Sequence, residues 1–180
     1  MTTPEPASAP AENKFASVDV LQVLRDHEWL AGDSTPEQTA WGERAAALLG
    51  PKSSDHAAID NLLSLIFHYN AQEVLSTMDA HVVMSRYAAR DVIRKLANLL
   101  LDPAPLTTNR FNDVVDALKS ELDIRGRELF HPLRLALAGR SGEGELDRVI
   151  LLLDDAAAAN FPATVKSART RIIEFCSALD

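Results

Sequence analysis

From Val18 onward, apolar residues recur at three- and four-residue intervals and no stretch alternates strictly between apolar and polar. That spacing puts one apolar stripe on each helix and argues against strands. Val20, Leu21, Leu24 and Leu30 mark a first helix from Val18 to about Ala31, capped by Ser17 and stopped by Gly32. Thr35-Pro36 opens a second that runs to Leu49, before Gly50-Pro51. Ser54 opens a third, with Ile59, Leu62, Leu63, Ile66 and Phe67 inward and a break at Asn70. A long helical stretch is expected from about Ala71 to Leu101, ending at the Asp102-Pro103-Ala104-Pro105 linker. Beyond it lie four more: one capped by Thr108 or Asn109, then Arg125 to Ala138, Glu145 to Asp155, and about Pro162 to Leu179. The expectation is an all-α protein, a compact multi-helix bundle of about seven or eight helices. Residues 15–102 form an N-terminal helical part and 106–180 a C-terminal one.

Residues 1–14 are rich in Pro, Ala and Ser, with only Met1 as a large apolar side chain. Such a segment cannot offset its own ordering entropy, so a disordered tail is expected. It has neither the basic start nor the apolar core of a signal peptide. No run reaches the length of a membrane span, so no membrane partner is expected, and the cytoplasm is the expected location. The 180 residues carry 18 basic and 26 acidic side chains, for a formal net charge of −8. Residues 1–60 hold 4 basic and 10 acidic groups, whereas 109–148 hold 7 and 8. An acidic chain does not draw phosphates from a distance. Contact with nucleic acid must therefore come from local arginines. Arg86, Arg90 and Arg94, spaced i, i+4, i+8, make one basic ridge, either a solvated face or a phosphate track.

Catalytic motifs are absent: there is no GxGxxG, GxxxxGK[ST], GxSxG or HExxH. The single Cys176, beside Phe175, reads as a small packed hydrophobe and excludes a disulfide framework. Glu128 and His131 form one ExxH, and His56 and Asp60 lie one turn apart. Di-iron bundles need that motif twice, so no metal is expected. Neither a cofactor nor a small-molecule substrate is expected. Trp29 and Trp41 fit either core packing or an aromatic binding site.

One segment is more specific. Residues 123–140 read Asp-Ile-Arg-Gly-Arg-Glu-Leu-Phe-His-Pro-Leu-Arg-Leu-Ala-Leu-Ala-Gly-Arg, followed by Leu146 and the apolar run Val149 to Leu153. From about Phe111 to Asp155 this resembles the C-terminal anticodon-binding region of bacterial glutamyl-tRNA synthetases, whose motif is G-K/R-x-L-F-x-P-L-R-x-A-L-T-G. Without the family, Leu129, Phe130, Leu133, Leu135 and Leu137 supply a buried side, Pro132 removes one backbone donor, and Gly139 can stop the helix. Residues 141–144 read as a mobile loop. The resemblance implies that Arg134 and Leu146 approach anticodon bases; Arg127 and Arg140, arginines of the same segment, are expected as further nucleic-acid contacts. The family threonine is Ala138 here, and Glu143 and Glu145 add charge that opposes RNA.

The H-I-G-H and K-M-S-K-S motifs of the catalytic half are missing, as is any strand–helix alternation. The reading is thus a non-catalytic relative of the anticodon-binding domain, binding tRNA or a translation-related protein. The alternatives are an interaction protein that has lost RNA binding, or a small metal-bundle enzyme using Glu128, His131, His56 and Asp60. If Arg134 is structural, a carboxylate such as Glu128 or Glu121 is its expected partner.

Overall fold

The computed structural model describes residues 13–180, and ten α-helices and no strand are found among them. The first twelve residues of the expected tail lie outside the described ones. Asn13 does not: its amide donates to the Ala46 carbonyl at 2.9 Å.

The helices are α1 (Ser17–Asp26), α2 (Pro36–Leu49), α3 (His56–Phe67), α4 (Ala71–Leu75), α5 (Met78–Met84), α6 (Ala89–Leu99), α7 (Thr108–Leu122), α8 (Arg127–Ala138), α9 (Gly144–Ala158) and α10 (Ala168–Leu179), with a single 3₁₀ turn at Gly50–Lys52. Local signals explain most boundaries. The Thr35 side chain accepts from the Gln38 N–H while Gln38 returns a bond to the Thr35 N–H, and Pro36 fills the first helical position. Gly126 and Gly139 bracket α8 with φ of +59° and +83°, the left-handed region that costs glycine least.

Four expectations are corrected. The helix expected from Val18 to Ala31 ends at Asp26, because Glu28 turns left-handed at φ +61° and the Trp29 and Leu30 N–H groups fold back onto the Leu24 carbonyl. The stretch from Ala71 to Leu101 is three helices, which is why ten replace seven or eight. Thr77 caps α5 by accepting from the Ala80 N–H, and the hydroxyls of Ser76 and Ser85 donate to carbonyls of the preceding turns. No Pro or Gly marks these breaks, so periodicity ran through them. The last helix begins at Ala168, capped by Ser167, and not near Pro162. There the Asp154 carboxylate of α9 accepts from both the Leu106 and Ala168 N–H groups, tying the linker before α7 to the start of α10. Residues 141–144, read as a mobile loop, are instead pinned by hydrogen bonds described below.

The packing crosses the proline linker. α8 lies against α5, α6, α9 and α10, while α9 lies against α2 and α3. Leu129, Leu133, Leu135 and Leu137 are fully buried and Phe130 half-buried, as the sequence pattern of α8 requires. Trp41, Phe67 and Phe161 meet edge-to-face at 5.2–5.7 Å between centroids, and the Trp41 indole donates to the Leu152 carbonyl at 3.1 Å. Trp29 stacks between His27 and Phe67. Both tryptophans therefore pack helix seams.

At the centre, Arg171 of α10 is 0% exposed. Its guanidinium donates to the carbonyls of Leu65 (2.9 Å), Ile66 (2.6 Å), Leu137 (3.0 Å) and Lys166 (3.0 Å). Tyr69 lies face-on, 4.7 Å from the guanidinium carbon, and donates its hydroxyl to the Ala136 carbonyl at 2.6 Å. All but the Lys166 carbonyl, which lies in the loop before α10, belong to the last turns of α3 and α8, where the helix leaves acceptors unpaired and its dipole favours a cation. Replacing Arg171 by Met should strand them in a dry interior and lower stability by about 3–5 kcal/mol in denaturant titration. Arg171→Lys should not restore it, because one ammonium cannot span four acceptors. A loss below about 1 kcal/mol for Arg171→Met would show that the carbonyls find other donors.

Candidate nucleic-acid interface

The site implied by the family motif lies where α8 hands over to α9. Arg134, on the last two turns of α8, is 8% exposed. Its Nε and Nη2 donate to the two carboxylate oxygens of Asp147 at 2.8 and 2.9 Å, and Nη1 donates to the Gly142 carbonyl at 3.0 Å. The same guanidinium sits 4.7 Å from the centre of the Phe130 ring. A planar fork with two parallel bonds to one carboxylate is the strongest pairing arginine makes. The partner is Asp147, not Glu128 or Glu121. Glu128 is exposed and Glu121 pairs with Lys95.

The loop is fixed from the other side too. The Ser141 N–H and hydroxyl donate to the Asp79 carboxylate of α5 at 2.9 and 2.5 Å. A Cβ on Gly142 would stand 2.9 Å from the Cδ1 methyl of Leu146, so a larger residue there would have to displace that side chain. Leu146 is 2% exposed and belongs to the core. The structure thus joins Arg134, Asp147, Gly142 and Leu146 in one knot that shapes the loop.

Arg127 and Arg140 are exposed at the two ends of α8, about 20 Å apart along its axis at 1.5 Å per residue. The ridge is only partly straight. Arg86 lies in the turn before α6, where its Nη1 reaches Nδ1 of His131 at 2.8 Å. Arg90 and Arg94 stay exposed on α6. Burial, followed by the positive charges of Arg86, Arg127 and Arg134, holds the His131 pKa below its ordinary 6.5. An electropositive edge therefore runs from α6 across to the start of α8. Sequence reading listed Arg86 and Arg127 separately; the pairing through His131 needs the tertiary fold.

The residues of the metal reading are engaged elsewhere or apart: His131 with Arg86, and Asp60 with His27 at 2.8 Å. Among the described residues no three His, Cys, Asp or Glu side chains are grouped to hold a metal ion. Cys176 is half-buried against the core, and burial raises its thiol pKa. No helix among the described residues is long and apolar enough to cross a membrane.

Arg134→Ala should lower stability by about 1–3 kcal/mol, and a double-mutant cycle with Asp147→Asn should show coupling between the two. Additive losses in calorimetry would mean that the fork does not organise the loop. Accepting from Arg86 requires neutral His131, since an imidazolium has no lone pair to offer. Nuclear magnetic resonance titration should therefore place His131 below 6.5. Its lowered value means that the unfolded chain binds the proton more readily, so this contribution is present above pH 6.5 and is lost as the pH falls. A His131 titration at or above 6.5 would contradict the basic edge.

A family described as an anticodon binding domain matches residues 19–157. The chain is 26% identical over 140 residues to glutamate–tRNA ligase 2 of Syntrophus aciditrophicus, covering 77% of this chain and 28% of that protein. It is 27% identical over 124 residues to the glutamate–tRNA ligase of Geobacillus thermodenitrificans, covering 69% and 25%. With the Carboxydothermus hydrogenoformans enzyme the identity is 30% over 104 residues, covering 58% and 20%. The chain thus spans about a quarter of the length of the first two of these curated relatives. No solved structure matches it significantly. The likeness reaches well beyond Phe111 to Asp155, into the N-terminal helices that pack on α8 and α9. With the all-helical fold and the α8 motif in place, the chain belongs to the anticodon-binding domain family and is homologous to that part of the glutamyl-tRNA synthetases.

Proposed function

We propose that this chain is a non-catalytic RNA-binding module of the anticodon-binding family, with tRNA as its ligand. The observation that carries the reading is the basic edge. Arg86, Arg127 and His131 converge beside exposed Arg90 and Arg94, in a chain whose net charge is −8. Local guanidinium groups hold phosphates by charge-assisted bonds even where the global field is unfavourable, because salt screens the distant acids within about 8 Å. In this reading Arg127 and Arg140 contact RNA directly. Arg134 and Leu146 act from beneath, by fixing the shape of the loop at 141–144. No residue set for activating glutamate is recognisable in the sequence, and the relatives match through a quarter of their length.

A second reading, a protein-contact module that has lost RNA binding, draws on Glu143 and Glu145 beside the loop and on the acidic N-terminal third. Titrating labelled tRNA at 50 and 200 mM salt separates the two. The RNA-binding module should bind in the micromolar range and weaken steeply with salt. Arg127→Ala should weaken binding with an unchanged melting temperature, whereas Arg134→Ala should lower both. Absence of binding at 50 mM salt would leave the protein-contact reading.

A further inference from the structure

Tyr87 is fully exposed, at 101% of its reference area, although it sits in an ordered turn between two helices. Among the described residues its ring stacks on no other aromatic and its hydroxyl has no hydrogen-bond partner, whereas Tyr69 has both a cation over its face and a bonded hydroxyl. What surrounds Tyr87 is positive. Arg86 precedes it and Arg90 and Arg94 follow at three and seven residues. The turn keeps nearly helical spacing, since the Ala89 N–H donates to the Arg86 carbonyl and the Val92 N–H to that of Ala88. Tyr87, Arg90 and Arg94 therefore share one face, with the two arginines about 6 Å apart along the axis.

Carboxylates offset that face only in part. Arg90 makes no ion pair among the described residues, and Arg94 meets only Asp91, loosely, at 3.8 Å. Arg90 and Arg94 also rim a groove of about 260 Å³ between α6 and α10, floored by Ile93, Ala97 and Leu179, with Asp180 at its end. An aromatic ring free on both faces, with exposed arginines one and two turns further along the same face, suits an unstacked base with its phosphates. Every base offers a π-face to the ring, and arginine serves both the phosphate and, by cation–π contact, the base. A double helix would present no base to Tyr87, so the fitting ligand is single-stranded. A protein partner would instead use the exposed Met78 and Val82 of α5, whereas the two exposed arginines on the face of Tyr87 favour a polyanion.

We propose that the α5–α6 turn and the first turns of α6 form a contact for single-stranded RNA, in which one base stacks on Tyr87 and Arg90 and Arg94 hold the flanking phosphates. The proposal rests on the RNA-binding reading above and adds to it a surface on α6 that lies outside the α8–α9 motif.

The test uses the full chain with three probes: tRNA, a ten-nucleotide single-stranded RNA carrying 5-iodouridine, and a blunt RNA duplex. Tyr87→Ala should weaken binding of tRNA and of the single strand about tenfold, while Tyr87→Phe, which keeps the ring, should leave both nearly unchanged. The duplex should bind weakly and respond to neither. Arg90→Ala with Arg94→Ala should flatten the salt dependence by about two released counterions. Photocrosslinking should mark the tryptic peptide from Tyr87 to Arg90. All variants should melt with the parent protein, because the replaced side chains are exposed. RNA binding that is indifferent to Tyr87→Ala, or crosslinks confined to α8 and α9, would overturn this contact and leave the proposed function standing. No binding of any probe by the parent chain would overturn both. Binding of the single strand but not of tRNA would keep the contact and identify a free single strand as its source.

Discussion

Arg171 carries a full charge at the centre of the molecule and makes no hydrogen bond to a carboxylate; its pKa falls only to about 10, so it stays protonated near neutrality. What compensates the charge is backbone. Helices α3 and α8 end against it, each offering carbonyls that helix geometry leaves without donors. Tyr69 completes the arrangement from the face, taking Ala136 and bringing the loop after α3 into the same knot. One side chain therefore sets where two helices stop and how α10 lies across them. Burying a cation in this way is costly in general, and it is tolerable here because its donors are satisfied by dipoles already oriented toward it.

The same helix, α8, is organised at its solvent side by a second arginine. Arg134 ties α8 to Asp147 and the Gly142 carbonyl, and Arg171 ties the end of the same helix to α10. This explains why α8 is buried almost all round from Pro132 to Ala138 while it still presents Arg127 and Arg140. An arginine of the P-L-R motif can thus matter to recognition without touching a base. It holds Gly142 down over Leu146, and any surface the loop offers depends on that hold.

The helical class, the Thr35 cap, the Gly139 stop, the inner face of α8 and the family were legible because they rest on local signals: apolar spacing, Thr35-Pro36, the glycine at 139, and the L-F-x-P-L-R order; several other caps lie a residue away from the expected one, at Ala16, Asp55 and Thr107. The breaks at 76–77 and 85–88 were not, since hydroxyls bonded to nearby carbonyls end those helices and leave hydrophobic periodicity intact. Arg171 drew no notice in the sequence because its four acceptors come from positions as far as 106 residues away. That a structural Arg134 would pair with a carboxylate was legible, but the expected partners were Glu128 and Glu121; Asp147 lies across the loop in the first turn of α9, and which acid the loop brings to the guanidinium is set by the tertiary fold. Tyr87 falls inside the stretch from Ala71 to Leu101 expected as one long helix. With that helix broken, the ring lies outside the core.

The break before α6 also decides how charge is arranged for a ligand. Had residues 71–101 formed one rod, Arg86, Arg90 and Arg94 would have lined a single stripe. The turn instead brings Arg86 against His131 and so joins the basic surface of α6 to that of α8. An excess of eight negative charges then acts chiefly on partners at long range, where salt screens it, whereas a ligand in contact meets the local cations first. Such a chain should discriminate by fit and contact more than by electrostatic capture. Slow association with a strong dependence on a few arginines is the kinetic form that this balance takes.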